Sequence, residues 1–377
     1  MALSLSRNAT FICSYQSAAP FDGDGRHPNE ANTFEIGILD GFSFSQATGT
    51  QNVTINEAGT APQRGQQIFN TSLEPVDWSF TSYVRPRIDE LGATDLHGMA
   101  EKILWNALVS STKTNNTTTG GIASTTSSCT VSTSTSNVNQ LLKLTGWFVF
   151  SDSSTNYRLT DMVVNSASID FDIDGIAQIT WSGFASAVES VNAGATPTTA
   201  GDGTDGYAAN PSTGDFILNR LSTVSLVSSI SGGSKTYSFP LTGGNVTIDN
   251  GISYVTPEEL GSVNTPIDHQ TGTRSVSGNF TCYLDSSATG SKGVYDDIMT
   301  DINGAAPDTT NSFDIALKIG GASAPNVAFN MDQAHLELPS IDTADVMGAT
   351  INFTALESTF GSGNDEVSVV YTGSTTV

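Results

Sequence analysis

A chain of 377 residues carrying 14 Lys and Arg against 38 Asp and Glu has a formal charge of −24. That balance excludes a protein built to grip nucleic acid, because Lys and Arg contacts to phosphate supply most of such affinity. Only 14% of residues are charged, 36 are Gly, and three are Cys, an odd and sparse set that makes no disulfide framework and no zinc spacing. The opening residues 1–7 lack the basic region and apolar run of a signal peptide. No apolar run approaches the roughly 20 residues that cross a membrane, so the reading is a soluble protein made in the cytoplasm.

Residues 9–16 form an opening strand, and the Pro, Gly and Asn of 18–32 mark a loop. Residues 34–56 read as strand, with Gly49 as a turn or bulge. Residues 57–76 show no period; Ile68, Phe69 and Leu73 make this a long connection that packs on another surface. Residues 77–85 then alternate: Trp78, Phe80, Ser82 and Val84 on one face, Asp77, Ser79, Thr81, Tyr83 and Arg85 on the other. Residues 95–110 read as an amphipathic helix with Asp95 as N-cap. Met99, Ile103, Leu104, Ala107 and Leu108 form its stripe, with Glu101, Lys102 and Asn106 opposite. Residues 111–139, dominated by Ser, Thr and Asn, read as an exposed loop, and 142–150 and 157–184 hold further strands.

The composition shifts across 188–214, which places domains at 1–190 and 215–377 with a linker at 191–214. The second part repeats the first. Residues 277–285 match 77–85 through Phe80 and Phe280, Thr81 and Thr281, Tyr83 and Tyr283. Gly59 precedes its strand as Gly261 precedes its own, and a short helix at 293–302 follows the second copy. Residues 167–171 are set against 334–338, and 175–181 against 348–354 with a slip of one or two. The identical Asn52-Val53-Thr54-Ile55 and Asn245-Val246-Thr247-Ile248 break this spacing and count as coincidence.

Asp170, Asp172, Asp174 and Gly175 open like a calcium loop, but its twelfth position is Trp181, so a strand with an acidic outer face is preferred. No histidine pair, nucleophile elbow or phosphate-cradling loop anchors a catalytic reading, and no cofactor is expected.

Residues 42–46, 57–59, 77–80 with 83–86, and 99–108 resemble the major tail tube protein of long-tailed bacteriophages. So do 157–161, 169–175 and 181–184. The resemblance covers 34–185 directly and 216–360 through the repeat. It implies a mainly β fold: two tandem β-sandwich tube domains, each with one flanking helix. Their inner strands, at 42–56, 77–85, 244–256 and 275–284, join a β-barrel on oligomerisation. It implies a structural virion protein that polymerises as stacked rings into a tail tube, a polar and acidic conduit for genome ejection. Lumen-facing candidates are Ser43, Ser45, Asp77, Ser79, Thr81, Thr247, Asp249, Ser277, Asn279 and Thr281. Glu57, Gly59, Arg64, Ile68, Phe69, Glu259 and Gly261 are candidates for the loop that contacts a neighbouring subunit or ring.

The expected partners are further copies of the chain, tape-measure and tail-end proteins, and double-stranded DNA that passes without sticking. Three chains per ring are favoured, because the second half repeats the elements a ring needs; six, with the second half outside, is the alternative. The chain is placed in the virion tail, assembled in the host cytoplasm, with no membrane partner. A virion-surface adhesin or carbohydrate-binding β-sandwich is the rival reading. An acidic glycosidase is a third, without any placed carboxylate pair.

Overall fold

The computed structural model describes residues 9–16, 33–54, 65–91, 94–112, 118–119, 121–133, 140–150, 155–192, 215–228, 234–257, 260, 264–304, 313–343, 345–361 and 363–374. The first half runs β1 (Ala9–Tyr15), β2 (Thr33–Ile36), β3 (Ser43–Thr54), β4 (Gln66–Tyr83), β5 (Pro86–Leu91), β6 (Thr94–Met99) and α1 (Lys102–Val109). It continues β7 (Thr118–Thr119), β8 (Ile122–Ser124), β9 (Cys129–Ser132), β10 (Leu144–Phe150), β11 (Thr155–Asp172), β12 (Gln178–Ala185) and β13 (Ala187–Asn192). The second half runs β14 (Thr223–Ser228), β15 (Lys235–Tyr237), β16 (Leu241–Asp249), β17 (Ser253–Val255), β18 (Asp268–Gln270), β19 (Ser275–Tyr283) and α2 (Ser291–Ile302). Then come β20 (Phe313–Ile319), β21 (Asn326–Leu336), β22 (Ser340–Asp342), β23 (Gly348–Ala355) and β24 (Ser368–Thr372).

Both halves are two-layer β-sandwiches with one plan. One layer is β2-β1-β10-β11-β13 in the first half and β14 with β15, β20, β21 and β24 in the second. The other layer is β3-β4-β12-β11 in the first and β16-β19-β23-β21 in the second. In each half one long strand, β11 or β21, passes from layer to layer. Aromatic side chains from the alternating strands fill the gap, as burial of apolar area drives. Phe11 meets Phe80 at 4.6 Å between ring centroids, and Phe280 stacks on Phe353 at 4.8 Å.

The layers carrying β4 and β19 are one continuous sheet. β11 pairs antiparallel with β16, Ala167 opposite Ile248 and Ile169 opposite Val246. On the other side β24 pairs with β9, so the halves are also joined there.

Several local expectations need correction. Residues 66–76 are not a loop: β4 is extended from Gln66 and pairs with β3 along its length, Phe69 opposite Gln51 and Ile68 opposite Asn52. The pairing of two Gln/Asn/Thr-rich segments gives no hydrophobic period for the sequence to show. The helix begins at Lys102, and Asp95 lies in β6, paired in a hairpin with β5. All of α1 is buried, its polar side included, with Asn106 Nδ2 donating to the Thr112 carbonyl at 3.1 Å. Trp105 Nε1 donates to the Tyr371 hydroxyl at 2.8 Å, and Asn250 Nδ2 donates to the Leu108 carbonyl at 2.8 Å. Glu101 Oε1 accepts from the Arg85 N–H at 3.1 Å, and burial pushes its carboxyl up to about 7. α2 keeps an exposed polar side.

The repeat register also differs from the sequence alignment. Trp181 lies opposite Phe80 and Ile351 opposite Phe280, so Trp181 corresponds to Ile351, beyond the slip expected. Asn52 faces Ile68 whereas Asn245 faces Asn279, so the shared tetrapeptide is not an equivalence.

Two buried histidines bridge the halves as acceptors. His97 Nδ1 accepts from the Gly373 N–H at 2.9 Å, and His269 Nε2 accepts from the Leu141 N–H at 2.9 Å. Burial holds both imidazoles below their ordinary pKa, so the neutral form is bound. A depressed histidine contributes stability that is complete above the unfolded value of about 6.5 and lost as pH falls through the folded pKa. Chemical denaturation should therefore show the histidine contribution falling away below pH 6.5, partly offset by Glu101, whose carboxyl, raised to about 7 by burial, adds stability as pH falls. His97→Gln with His269→Gln should flatten that dependence, at a cost of about 1 kcal/mol per altered hydrogen bond at neutral pH.

Candidate assembly site: a hydroxyl-lined sheet face and two open edges

Strands β3, β4, β12, β11, β16, β19, β23 and β21 follow one another in hydrogen-bonded order, with β22 continuing the broken edge after β21. Their period of two puts Trp78, Phe80, Ile169, Trp181, Val246, Ile248, Phe280 and Phe353 in the core. The opposite face carries every lumen candidate of the sequence: Ser43, Ser45 and Asp77 exposed, and Ser79, Thr81, Thr247, Asp249, Ser277, Asn279 and Thr281 half-buried.

Register aligns these side chains into rows across the strands. One row is Thr81, Thr180, Ser168, Thr247, Ser277, Thr354 and His335. Another is Tyr83, Gln178, Asp170, Asn245, Asn279 and Asn352. Neighbours bond along the rows: Thr81 with Thr180 at 3.0 Å, Ser168 with Thr247 at 2.9 Å, Ser166 with Ser182 at 2.8 Å, and Asn279 Nδ2 to Asn245 Oδ1 at 3.2 Å. Such cross-strand hydroxyl pairs each stabilise a sheet by a few tenths of a kcal/mol. Arg158 is the one Lys or Arg in these strands, and it sits in the part of β11 that pairs with β10 and β13, bonded to Glu189. Within these strands the face therefore holds carboxylates, hydroxyls and amides without a fixed cation among the described residues; Arg85, just past β4, is tied to Asp215 at 3.5 Å.

Sequence reading reached four of these strands and missed Ser166, Ser168, Asp170, Thr180, Ser182, Asn352 and Thr354 on β11, β12 and β23. Their signal was present, since 167–171 and 176–181 alternate; what it lacked was the knowledge that β11 continues the same sheet. Asp249 also has a local role. Its carboxylate accepts from the Gly251 N–H at 2.7 Å and from Asn165 Nδ2 at 3.2 Å, holding the turn at Gly251, whose φ of +57 suits glycine. Of the loop candidates, Ile68 and Phe69 are exposed on the β4 arm. Glu57, Gly59, Arg64, Glu259 and Gly261 lie outside the described residues.

The sheet ends on two edges. Among the described residues β3 pairs only with β4, and β22 only with β23. The β22 edge repeats a sequence seen at the junction of the halves. Ser168-Ile169-Asp170 lies opposite Thr180, Ile179 and Gln178, and Ser340-Ile341-Asp342 lies opposite Thr350, Ala349 and Gly348. The tripeptides are identical and occupy equivalent register. Ile169, covered by β16, is 1% exposed; Ile341, with no strand beside it, is 47% exposed.

A duplicated β-sandwich whose polar sheet face, among the described residues, ends on two unpaired edges has the geometry of a protein that assembles edge to edge. The chain belongs to the phage tail tube protein family, whose profile matches residues 32–355. It is 30% identical over 341 residues to the tail tube protein pb6 of Escherichia phage T5, covering 89% of this chain and 71% of that protein. It is thus a structural component of a bacteriophage tail.

Proposed function

We propose that three copies of the chain close one ring of the tube, each half acting as one tube domain, with the linker expected at 191–214 shortened to 193–214 by β13, and that rings stack into the tail. The observation that carries this is the junction of β11 with β16. It is a finished example, inside one chain, of the contact that would join chains. The edge that β11 gives to β16 reappears as β22, and the edge that β16 offers corresponds to that of β3. Transferring the register sets Ser340 opposite Ser45, Ile341 opposite Phe44 and Asp342 opposite Ser43 of the next copy. Each half supplies four strands, so three chains give 3 × 2 × 4 = 24 strands around the lumen. At about 4.8 Å between strands and about 40° of tilt, that barrel is roughly 40–50 Å across at the backbone. Closure also removes both open edges, which otherwise invite irregular pairing.

The hydroxyl rows and carboxylates then line the lumen. Duplex DNA carries one charge per about 1.7 Å, and a wall without cations offers its phosphates no counterion to displace, so DNA passes without being held. Exposed Ile68 and Phe69 on the β4 arm suit contacts between stacked rings. Tape-measure and tail-end proteins meet the same lumen and end surfaces, and assembly takes place in the host cytoplasm. Negative-stain images of purified tubes viewed end-on test the reading: three-fold symmetry with six similar lobes is expected. Six copies per ring with outward second halves would refute it.

A further inference from the structure

In the first half, the groove beside Ala177 is filled. Residues 215–219 run antiparallel to residues 175–177. The Ala177 N–H donates to the Ile217 carbonyl at 2.9 Å, the Asn219 N–H donates to the Gly175 carbonyl at 3.0 Å, and Ile176 stands opposite Leu218. Phe216 packs edge-on to Tyr83 at 5.1 Å between ring centroids. Ala177 is 0% exposed.

The second half has the same groove, open to solvent. The Val84 N–H donates to the Ala177 carbonyl at 3.0 Å, and the Leu284 N–H donates to the Met347 carbonyl at 2.9 Å, so residues 345–347 stand where 175–177 stand. Tyr283 stands where Tyr83 stands. Met347 is 44% exposed and Tyr283 47% exposed, with Val346 bare between Asp345 and Met347. Beside them Leu284, Tyr295, Pro339, Ile341 and Ala349 line a cavity of about 300 Å³ next to α2.

Register names the matching occupant. Val164 opposite Gly183 corresponds to Leu336 opposite Phe353, and both long strands bulge at the same next point, between Leu144/Gly146 and between Phe313/Ile315. Gly146 therefore corresponds to Ile315, and their partners Cys13 and Leu226 correspond in turn. Counting back, Leu3, Ser4, Leu5, Ser6 and Arg7 fall at Phe216, Ile217, Leu218, Asn219 and Arg220. Apolar residues recur at the positions that face Tyr83 and Ile176. Ser4 replaces Ile217, whose side chain packs within its own half against Gly320. The Arg85–Asp215 ion pair at 3.5 Å is not repeated, since Asp285 and Ala2 stand there.

We infer that residues 2–6 of one copy lie along residues 345–347 of the adjacent copy, Leu3 over Tyr283 and Leu5 opposite Val346, so that each chain straps itself to its neighbour beside α2. This rests on the ring of three, in which the first half of one copy follows the second half of another as the two halves follow each other within a chain.

The test is a cysteine pair, Leu5→Cys with Val346→Cys. The hydrogen bonds around Ile176 and Leu218 make theirs a non-hydrogen-bonded antiparallel pair, with Cα atoms about 4.5 Å apart, inside the disulfide window. The native Cys13, Cys129 and Cys282 are buried and free, so they do not compete. Oxidising assembled tubes should convert most of the chains into covalent dimers and trimers, while Ile176→Cys with Leu218→Cys closes only within a chain. Deleting residues 2–6 should raise the concentration needed for assembly at least tenfold. Three-fold tubes that yield only monomers on oxidation, or an unchanged assembly threshold, would overturn the strap and leave the ring standing. Absence of any three-fold ring from the unsubstituted protein would remove both.

Discussion

Ile341→Asp should leave the monomer folded and abolish rings. The side chain is 47% exposed in the isolated chain, so the substitution falls among surface changes worth about ±0.5 kcal/mol. At a closed seam the position takes the environment of Ile169, which is 1% exposed against Val246 and Ile179. Burying an unpaired carboxylate there costs about 3–5 kcal/mol, and the proposed ring of three would have three such seams. Every 1.4 kcal/mol is tenfold in association, so assembly should be lost at any practical concentration. Circular dichroism and thermal unfolding should match the parent, while sedimentation and microscopy show monomers only. Ile169→Asp should instead unfold the chain, because its site is already buried. Normal tubes from Ile341→Asp would contradict the seam.

Asp77→Lys with Asp170→Lys should permit tubes but hold DNA in them. Both carboxylates are exposed on the polar face. They are better sites than Asp249, which maintains a turn. Each substitution adds two charges, moving the chain from −24 to −20, and a ring of three gains 3 × 2 = 6 lysines. Repeated along the tube, these create phosphate contacts whose affinity falls by nearly one log unit per log unit of salt for each contact. Virions carrying the variant should eject at least tenfold more slowly at about 50 mM salt and recover toward the parent rate near 200 mM. An unchanged rate at low salt would take these positions out of the lumen.

Much of this was readable from local pattern. The alternation at 77–85 placed Trp78 and Phe80 inward and Asp77, Ser79 and Thr81 outward, and the structure has them so, because a strand leaves only two directions for a side chain. The match of Phe80 with Phe280 found the duplication. What failed depended on distant partners. The polar side of α1 reads as wet in the sequence, yet Glu101 accepts from the Arg85 N–H and Asn106 donates to the Thr112 carbonyl, contacts that no helical period announces. Residues 66–76 needed β3 alongside to become a strand. Ser168-Ile169-Asp170 and Ser340-Ile341-Asp342 are identical, yet 167–171 were set against 334–338. Pro339 interrupts the second copy between β21 and β22, and only the pairing with β23 restores the register. The shared tripeptide was legible as letters but needed the sheet to give it a position.

Reconstruction of the assembled tube at a resolution that separates strands shows how the ring closes. Three chains per ring should appear, with β22 of one copy paired to β3 of the next and Ile341 opposite Phe44. A ring of six chains, or a lumen wall closed without β22, would contradict it.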